Sequence, residues 1–326
     1  MVLIIYRTLK APGGRDTFIA INKGTLTVKN GTITKTASTG RIFQVRGGTL
    51  KIVSGTYTGG ILVQKGKLQI DSGTFSNLAK NNKALIEVAG GSAVIKNGTF
   101  KATNGPQPIV NNMASLTVSG GTFTYKPAII DEQSDSFSPE FDNGAIISTH
   151  GSKSNTVISG GTFQSKILCA YVYDGGSLTI QKGSEVPYLT ATNGSVIGSL
   201  GGNQLLIKNG KFKAAGQHGI VYNGDTACTV SGGIFNSQWT VIENDYYGSK
   251  GTVTVSGGTF VSTMDSKNLA MFLNHVDEKM TFKGGKITGK KTYGYWTSPD
   301  TSGKIVVSDS SLFMNTLGEK TGYLFE

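Results

Sequence analysis

The sequence predicts an all-β fold: a right-handed single-stranded parallel β-helix (β-solenoid) of about twelve triangular coils. Three observations favour this fold. A pattern apolar-x-apolar-x-x-Gly-x-aromatic recurs along the 326 residues, most copies lie 22 to 27 residues apart, and the composition includes 46 Gly and 7 Pro, which suits short strands joined by tight turns. No stretch repeats apolar residues at helical spacing, so we expect almost no helix.

The recurring pattern supplies the first two strands of each coil. In its first copy, Leu26, Val28 and Ile33 fall at positions that point inward, and the intervening Thr32 points outward. Gly31 separates the two strands, and the positive φ that Gly adopts readily permits the bend between them. The copies end at Ile33, Tyr57, Phe75, Phe100, Phe123, Phe163, Phe212, Phe235, Phe260 and Ile287 and, more weakly, at Glu185 and Leu312.

A third strand per coil is indicated by a second set of inward positions. These are the pairs Phe43 and Val45, Ile61 and Val63, Ile86 and Val88, Ile109 and Asn111, and Val221 and Asn223. The last residue of each pair lies five positions before the next anchor, and a Gly-containing corner such as Gly47-Gly48 lies between. Three strands and three corners predict a triangular coil that stacks about 4.8 Å from its neighbour.

Stacking of the coils explains the regular aromatic residues. Phe75, Phe100 and Phe123 are expected to lie above one another and to bury a column that no single repeat could bury alone. We interpret this column as core and not as a ligand site. The two cysteines, Cys169 and Cys228, fall at different points of the repeat, so we expect no disulfide between them.

The departures from the repeat predict the boundaries of one solenoid domain. Residues 1–24 are expected to form an N-terminal cap, 25–312 the coils, and 313–326 a C-terminal cap. A loop insertion at 126–143 interrupts the coils and carries five acidic residues against one Lys. Insertions in solenoids often lie on the binding side.

The motif ISGGTF at 158–163 and its relatives VSGGTF, KNGTF and DSGTF resemble right-handed β-helix proteins of the pectate-lyase-like superfamily. Phage tailspikes and bacterial surface adhesins with GGTF repeats are similar to this chain over roughly residues 24–312. The superfamily contains lyases, hydrolases and proteins without activity, so the resemblance implies the architecture more than a reaction. We find neither the paired-Asp cluster of its hydrolases nor the Asp-rich calcium site of its lyases.

The charge balance bears on the partners. A net charge of +11 favours anionic partners such as acidic polysaccharide. The Lys residues are spread along the chain, so we expect no nucleic-acid partner, and no stretch approaches 18 apolar residues, so we expect no membrane insertion. We expect no cofactor and no metal, since His150, His218 and His275 show no ligand spacing.

We predict a non-catalytic surface-binding or structural β-helix: a phage virion appendage, tail spike or adhesin that recognises cell-surface carbohydrate. The expected place is the virion, or the extracellular space or cell surface. No signal peptide is visible, so either the chain is a trimmed piece or the protein reaches its place without secretion, as a virion protein assembled inside its host would. The expected partners are a glycan and a homotrimer or other virion proteins. Aromatic rings can stack on sugars while amides and acids hold hydroxyls. The ligand-binding candidates are Trp239, Tyr246, Tyr247 and Trp296, with Glu243 and Asp245 as polar partners.

Two alternatives remain open at this point. A polysaccharide depolymerase, either a lyase or a glycoside hydrolase, is the first; hydrolysis needs two carboxylates about 5–9.5 Å apart. Its weak catalytic candidates are Asp131, Glu132, Asp142, Glu243 and Asp245. Binding to ice or another crystal surface through outward Thr-x-Thr pairs is the second, but Lys211, Ile234 and Lys286 interrupt the array.

Overall fold

The chain is an all-β parallel β-solenoid with three strands in each coil. The computed structural model describes residues 2–5, 8–11, 17–35, 41–77, 84–103, 108–126, 145–216, 218–244, 250–297 and 302–308, and this part of the chain contains no helix. Side chains are described in the same ranges except at 2–5, 11, 264–269, 289–294 and 296. The predicted fold class is therefore confirmed.

The first sheet stacks thirteen parallel strands, each from one coil. They are β1 (Val2–Ile5), β4 (Thr25–Val28), β7 (Thr49–Ile52), β10 (Lys67–Ile70), β13 (Ser92–Ile95), β16 (Ser115–Val118), β19 (Asn155–Ile158), β22 (Ser177–Ile180), β25 (Gln204–Ile207), β28 (Ala227–Val230), β31 (Thr252–Val255), β33 (Met280–Phe282) and β35 (Ile305–Val307). Along these strands, buried apolar residues alternate with residues that face solvent, as the sequence predicts.

The second sheet follows the Gly bend. Its strands are β2 (Leu9–Ala11), β5 (Thr32–Lys35), β8 (Thr56–Thr58), β11 (Thr74–Ser76), β14 (Thr99–Thr103), β17 (Thr122–Lys126), β20 (Thr162–Ser165), β23 (Tyr188–Ala191), β26 (Lys211–Ala214), β29 (Ile234–Ser237) and the first parts of β32 (Thr259–Asn274) and β34 (Lys286–Thr297). Neighbouring strands pair in parallel, and where two successive coils both carry an aromatic residue at the inward position, the two residues are in register.

The third sheet closes the triangle. It consists of β3 (Thr17–Ile21), β6 (Arg41–Val45), β9 (Gly60–Val63), β12 (Ile86–Val88), β15 (Val110–Asn112), β18 (Ala145–His150), β21 (Leu168–Tyr173), β24 (Ile197–Leu200), β27 (Val221–Gly224), β30 (Ile242–Asn244) and the second parts of β32 and β34. Ten coils run from β4 to β32, with β1–β3 adding one before them and β33–β34 one after them, close to the number predicted.

The interior contains the predicted aromatic column. The rings of Phe75, Phe100, Phe123 and Phe163 stack at centroid distances of 4.8, 4.5 and 4.7 Å, and none of them is exposed to solvent. Leu189 occupies the next position of the column. A second stack of Phe212, Phe235 and Phe260 follows it. The core interpretation is confirmed, and both cysteines are free and buried.

Two corners show why glycine is needed. Gly91 has φ +73°, and a Cβ added there would lie 2.2 Å from the carbonyl oxygen of Gly66 in the previous coil. Gly48 has φ +72°, and its added Cβ would lie 2.3 Å from the oxygen of Gly24. Adjacent coils approach so closely at this corner that any side chain would push them apart.

Two sequence assignments are wrong. The aromatic slot of β23 is filled by Leu189 and not by Glu185, which is exposed in the preceding loop. The inward residues of β15 are Val110 and Asn112, one position later than predicted, because two apolar residues and two asparagines follow each other there and leave the register ambiguous.

The predicted caps and the predicted insertion are described only in part. Within 1–24, the strands β1, β2 and β3 pair with β4, β5 and β6, so this segment has the strand arrangement of a coil. Of the insertion at 126–143, only Lys126 is described, and it ends β17. Residues 313–326 lie outside the described part of the chain.

Candidate functional site

Glu243 is the one catalytic candidate that the structure describes. It lies in β30 on the outer side of the third sheet, yet only 8% of it is exposed. Its Oε1 accepts a hydrogen bond from the backbone N–H of Gly219 at 2.8 Å. The neighbours in register are Tyr222 on one side and Leu273 on the other, so no second carboxylate lies next to it in the ladder.

Trp239 lies at the corner between the second and third sheets. Its side chain is half-buried. Its backbone N–H donates to Oγ of Ser237 at 3.0 Å, and its carbonyl oxygen accepts from Oγ of Ser262 at 2.9 Å. Two hydrogen bonds therefore hold the backbone at this corner. The role of Trp239 as a ligand contact stays a prediction.

Trp296 is described by its backbone alone. It lies in β34, and its Cα pairs with that of Leu273, which in turn pairs with Glu243. Glu243 and Trp296 therefore share one register row of the third sheet, two coils apart. The other candidates lie outside the described residues: Asp131, Glu132, Asp142, Asp245, Tyr246 and Tyr247.

The described histidines do not form a metal site. Nε2 of His150 lies 2.9 Å from Oδ1 of Asn111, and its ring stacks on Tyr173 with centroids 4.7 Å apart. Within the described ranges, no three His, Cys, Asp or Glu residues come close enough together to hold a metal ion. The same part of the chain has no helix of the length and hydropathy needed to cross a bilayer.

A groove that the sequence prediction missed lies on the outer side of the second sheet. It crosses three neighbouring strands, β23, β26 and β29. The residues that line its outer surface are Val186, Tyr188, Lys211, Lys213, Ile234 and Asn236. Tyr188 and Ile234 are 37% and 42% exposed, which is unusual for large apolar side chains in this chain.

The groove interrupts a row of threonines. The first outward position of the second sheet is Thr in six successive coils, in register from strand to strand: Thr32, Thr56, Thr74, Thr99, Thr122 and Thr162. The next three residues of the row are Tyr188, Lys211 and Ile234, and Thr259 then resumes it. The row thus departs from threonine in these three successive coils, and again at Lys286 of β34.

A longer corner forms one wall of the groove. Three residues separate Ile158 from Thr162, whereas seven separate Ile180 from Tyr188, so the second corner is four residues longer. The backbone N–H of Tyr188 still donates to the oxygen of Gly161 at 2.9 Å, which restores the register. Consequently the extra residues form a loop above the sheet, and Val186 lines the groove.

The groove carries positive charge. Lys211 and Lys213 are both exposed and lie two residues apart in β26, on the same side of the strand. Neither forms an ion pair with another described residue. No acidic residue lines the groove, and the acid in its wall, Glu185, is exposed in the loop together with Lys182.

The sequence did contain a signal for this site. Tyr188-Leu-Thr-Ala191 matches Lys211-Phe-Lys-Ala214 in its inward residues, and Thr99-Phe-Lys-Ala102 has the same form. The usual spacing after Ile180 predicts Glu185 at the inward aromatic position. With that register, Tyr188 is not recognised as an outward residue of the next strand. A repeat alignment that allows a four-residue gap finds it.

The chain matches no protein-family model, no curated protein and no solved structure. The functional argument therefore depends on the geometry of the chain itself.

Proposed function

We propose that this β-solenoid is a non-catalytic binding protein that recognises cell-surface carbohydrate in the groove of the second sheet. One observation carries the proposal. In a row composed mostly of threonine, Tyr188 and Ile234 present exposed apolar surface on either side of Lys211. An apolar surface with a few polar groups is the usual composition of a small-ligand site.

The dimensions suit a sugar ring. Adjacent strands lie about 4.8 Å apart, so Tyr188 and Ile234 stand roughly 10 Å apart across β26. A pyranose can pack its C–H face on the electron-rich face of Tyr188. The ammonium groups of the two lysines and the amide of Asn236 can then hydrogen-bond its hydroxyl groups.

The scaffold supports such a site. Apart from Val186, the groove residues belong to strands that are paired on both sides and sit over buried Leu189, Phe212 and Phe235. Side chains on regular strands are held in more constant positions than those on loops, which reduces the entropy lost on binding.

We further propose that the rod serves as a virion appendage, tail spike or adhesin, located on a virion or an extracellular surface. The GGTF repeats and their resemblance to right-handed β-helices of the pectate-lyase-like superfamily support this setting. A homotrimer or other virion proteins are the partners that fit it. Trp239, at the corner that follows β29, extends the proposed binding surface in the same coil.

A polysaccharide depolymerase is the alternative. It is favoured by the burial of Glu243 on an outward position of the third sheet, where Gly219 leaves room for its carboxylate. Hydrolysis would need a second carboxylate within about 9.5 Å. Glu243→Gln preserves the acceptor for the Gly219 N–H, so this variant separates a catalytic role of the acid from a structural one.

The test is a panel of cell-surface polysaccharides incubated with the full chain, followed by measurements of binding, of reducing ends and of absorbance near 235 nm. We expect binding without product, and weaker binding by Tyr188→Ala. Thr122→Ala, in the same row but outside the groove, is the matched control. Product that disappears in Glu243→Gln would replace the proposed function with the depolymerase, and undiminished binding by Tyr188→Ala would exclude the groove.

A further inference from the structure

We infer that the rod binds anionic lipid bilayers at their surface, without insertion, through a basic face formed by its first coils. The inference does not depend on the carbohydrate groove, which lies on another sheet and in later coils. It rests on the distribution of charge along the chain, on the side of the rod that carries the cations, and on the shape of the surface that they form.

The net charge is concentrated in the first part of the chain. Residues 1–126 contain 16 basic and 3 acidic residues, a net charge of +13. Residues 127–326 contain 15 basic and 17 acidic residues, a net charge of −2. The lysines are spread along the chain, but the acids are not. Such an asymmetry between two parts of a chain indicates a partner of opposite charge at one of them.

Most of the described cations in these coils lie on one side of the rod. This side consists of the outer surface of the first sheet from β4 to β13 and of the corner that precedes each of these strands, and we call it the basic face. Its cations are Lys23, Lys29, Arg46, Lys51, Lys65, Lys67 and Lys96, of which Lys51 is half-buried and the others are exposed. On the other two sides, Arg41 pairs with Glu87, and the exposed cations are Lys10, Lys101 and Lys126.

One acid neutralises only part of this charge. The carboxylate of Asp71 lies 2.9 Å from Nζ of Lys96 and 3.5 Å from Nζ of Lys51. No acid among the described residues forms an ion pair with Lys23, Lys65 or Lys67. Cations in neighbouring coils repel each other, and an approaching surface of negative charge relieves this repulsion.

The sheet itself does not require these lysines. Its strands continue in register from β13 into β16, β19 and β22, where the outward residues are Ser115, Thr117, Asn155, Val157, Ser177 and Thr179. Lysine on an edge strand prevents pairing with other chains. The strands from β4 to β13, however, are all paired on both sides.

The cations form a two-dimensional array. Lys23, Arg46 and Lys65 lie in successive coils at the corner before the sheet, about 4.8 Å apart along the rod. Lys29 and Lys96 lie just after their strands, about 13 Å or more across the sheet at the usual rise per residue. A single extended polymer that follows the first row does not reach the second, whereas a flat surface of negative charge contacts both at once.

The composition of the basic face favours a lipid surface over nucleic acid. Proteins that bind single-stranded nucleic acid combine a charged groove with aromatic rings on which the bases stack. The outward residues of β4, β7, β10 and β13 are Thr, Lys, Gln, Ser and Val, so these strands present no ring. Each lysine near an anionic bilayer strengthens binding about fivefold and needs no partner of fixed geometry.

Sedimentation with vesicles tests the inference. The vesicles contain phosphatidylcholine alone or phosphatidylcholine mixed with phosphatidylglycerol. The full chain is compared with Lys23→Gln/Lys65→Gln/Lys67→Gln on the basic face. The matched control is Lys182→Gln/Lys250→Gln/Lys286→Gln, which removes the same charge from exposed positions of later coils. Circular dichroism confirms that each variant is folded, and Tyr188→Ala is included to separate this surface from the groove.

We expect the full chain to sediment with the anionic vesicles and not with the neutral ones. The lipid concentration at half-saturation should rise roughly 100-fold in the basic-face variant, because three factors of about five are lost. The control variant and Tyr188→Ala should bind like the full chain. Added salt should release the protein from the vesicles.

Other outcomes overturn the inference. Equal binding to neutral and anionic vesicles would show that charge does not drive the contact, and an equal loss in both triple variants would show that net charge alone does. Double-stranded DNA and a linear polyuronate are measured at equal concentrations of negative charge, and tighter binding of either would assign the basic face to that polymer instead. Absence of binding to every vesicle would also overturn the inference but leave the carbohydrate groove intact, since sugar binding and Tyr188→Ala test that groove separately.

Discussion

The ring of Phe100 lies almost parallel to the ring of Phe123, with centroids 4.5 Å apart and an interplanar angle of 7°. The two residues are direct register partners in β14 and β17, and neither is exposed. This relationship repeats along the rod wherever one coil follows another with the same repeat. The aromatic side chain of each such coil is therefore buried by the aromatic side chains of the coils on either side of it.

Removal of one ring from this column should destabilise the rod. Phe123→Ala leaves a cavity between Phe100 and Phe163, and we expect a loss of about 3–5 kcal/mol in the free energy of unfolding. Thr124→Ala, one residue further on and facing outward, should change it by less than about 0.5 kcal/mol. Urea unfolding followed by circular dichroism compares the two. Equal midpoints would show that the column is not the core.

The corner glycines should differ in their tolerance of a side chain. Gly91→Ala meets both a positive φ and the carbonyl oxygen of Gly66, whereas Gly201 has φ +62° and nothing within 4 Å of its added Cβ. Gly201→Ala should therefore cost only the left-handed backbone conformation, about 1–2 kcal/mol, and Gly91→Ala clearly more. Thermal unfolding of both variants measures the difference. A smaller cost for Gly91→Ala would contradict the close approach of the coils.

The buried asparagines of the third sheet should contribute strongly to the free energy of unfolding, although they are polar. Nδ2 of Asn244 donates to Oδ1 of Asn274 at 2.8 Å, and its Oδ1 accepts from Asn223 at 2.8 Å, all three side chains being buried. Asn244→Ala leaves buried amide groups without partners, so we expect a loss of about 2–4 kcal/mol. Asn203→Ala removes an exposed hydrogen bond to Ser177 and should be nearly neutral. Chemical denaturation of both variants decides the matter.

Chemical labelling of the two thiols should show whether the solenoid is folded. Burial raises the pKa of Cys169 and of Cys228 to about 12 each. A thiol reagent at pH 8 should therefore label neither cysteine in the native chain and both after denaturation. Because the folded pKa values are raised, their contribution to stability is complete below the unfolded pKa of about 8.5 and declines as pH rises towards 12. Rapid labelling of the native chain would contradict their burial.

The fold could be predicted because its determinants are local and repeated. Alternation of residues such as Leu26 and Val28 defines the inner face, Gly marks each bend, and the shared spacing defines the stack. Among the described residues, the predicted register is wrong at two places. At 109–112 two equivalent positions compete, and after Ile180 a four-residue insertion hides the next copy of the repeat.

The candidate site was harder to predict. Sequence analysis searched the aromatic-rich and acidic irregular segments, and of those residues Glu243, Trp239 and Trp296 fall on described strands or corners. The groove instead combines residues from three successive coils, namely Tyr188, Lys211 and Ile234. Successive members of this set are 23 positions apart, and none of them indicates a site by itself. Only the parallel register makes them neighbours.

A crystal structure of the chain soaked with an oligosaccharide from the polysaccharide panel tests the account most directly. We expect one sugar ring against the side chain of Tyr188, with an oxygen atom of the sugar within hydrogen-bonding distance of Nζ of Lys211 or Lys213. Sugar density on the third sheet near Trp239 and Glu243, with the groove between β23 and β29 empty, would contradict it.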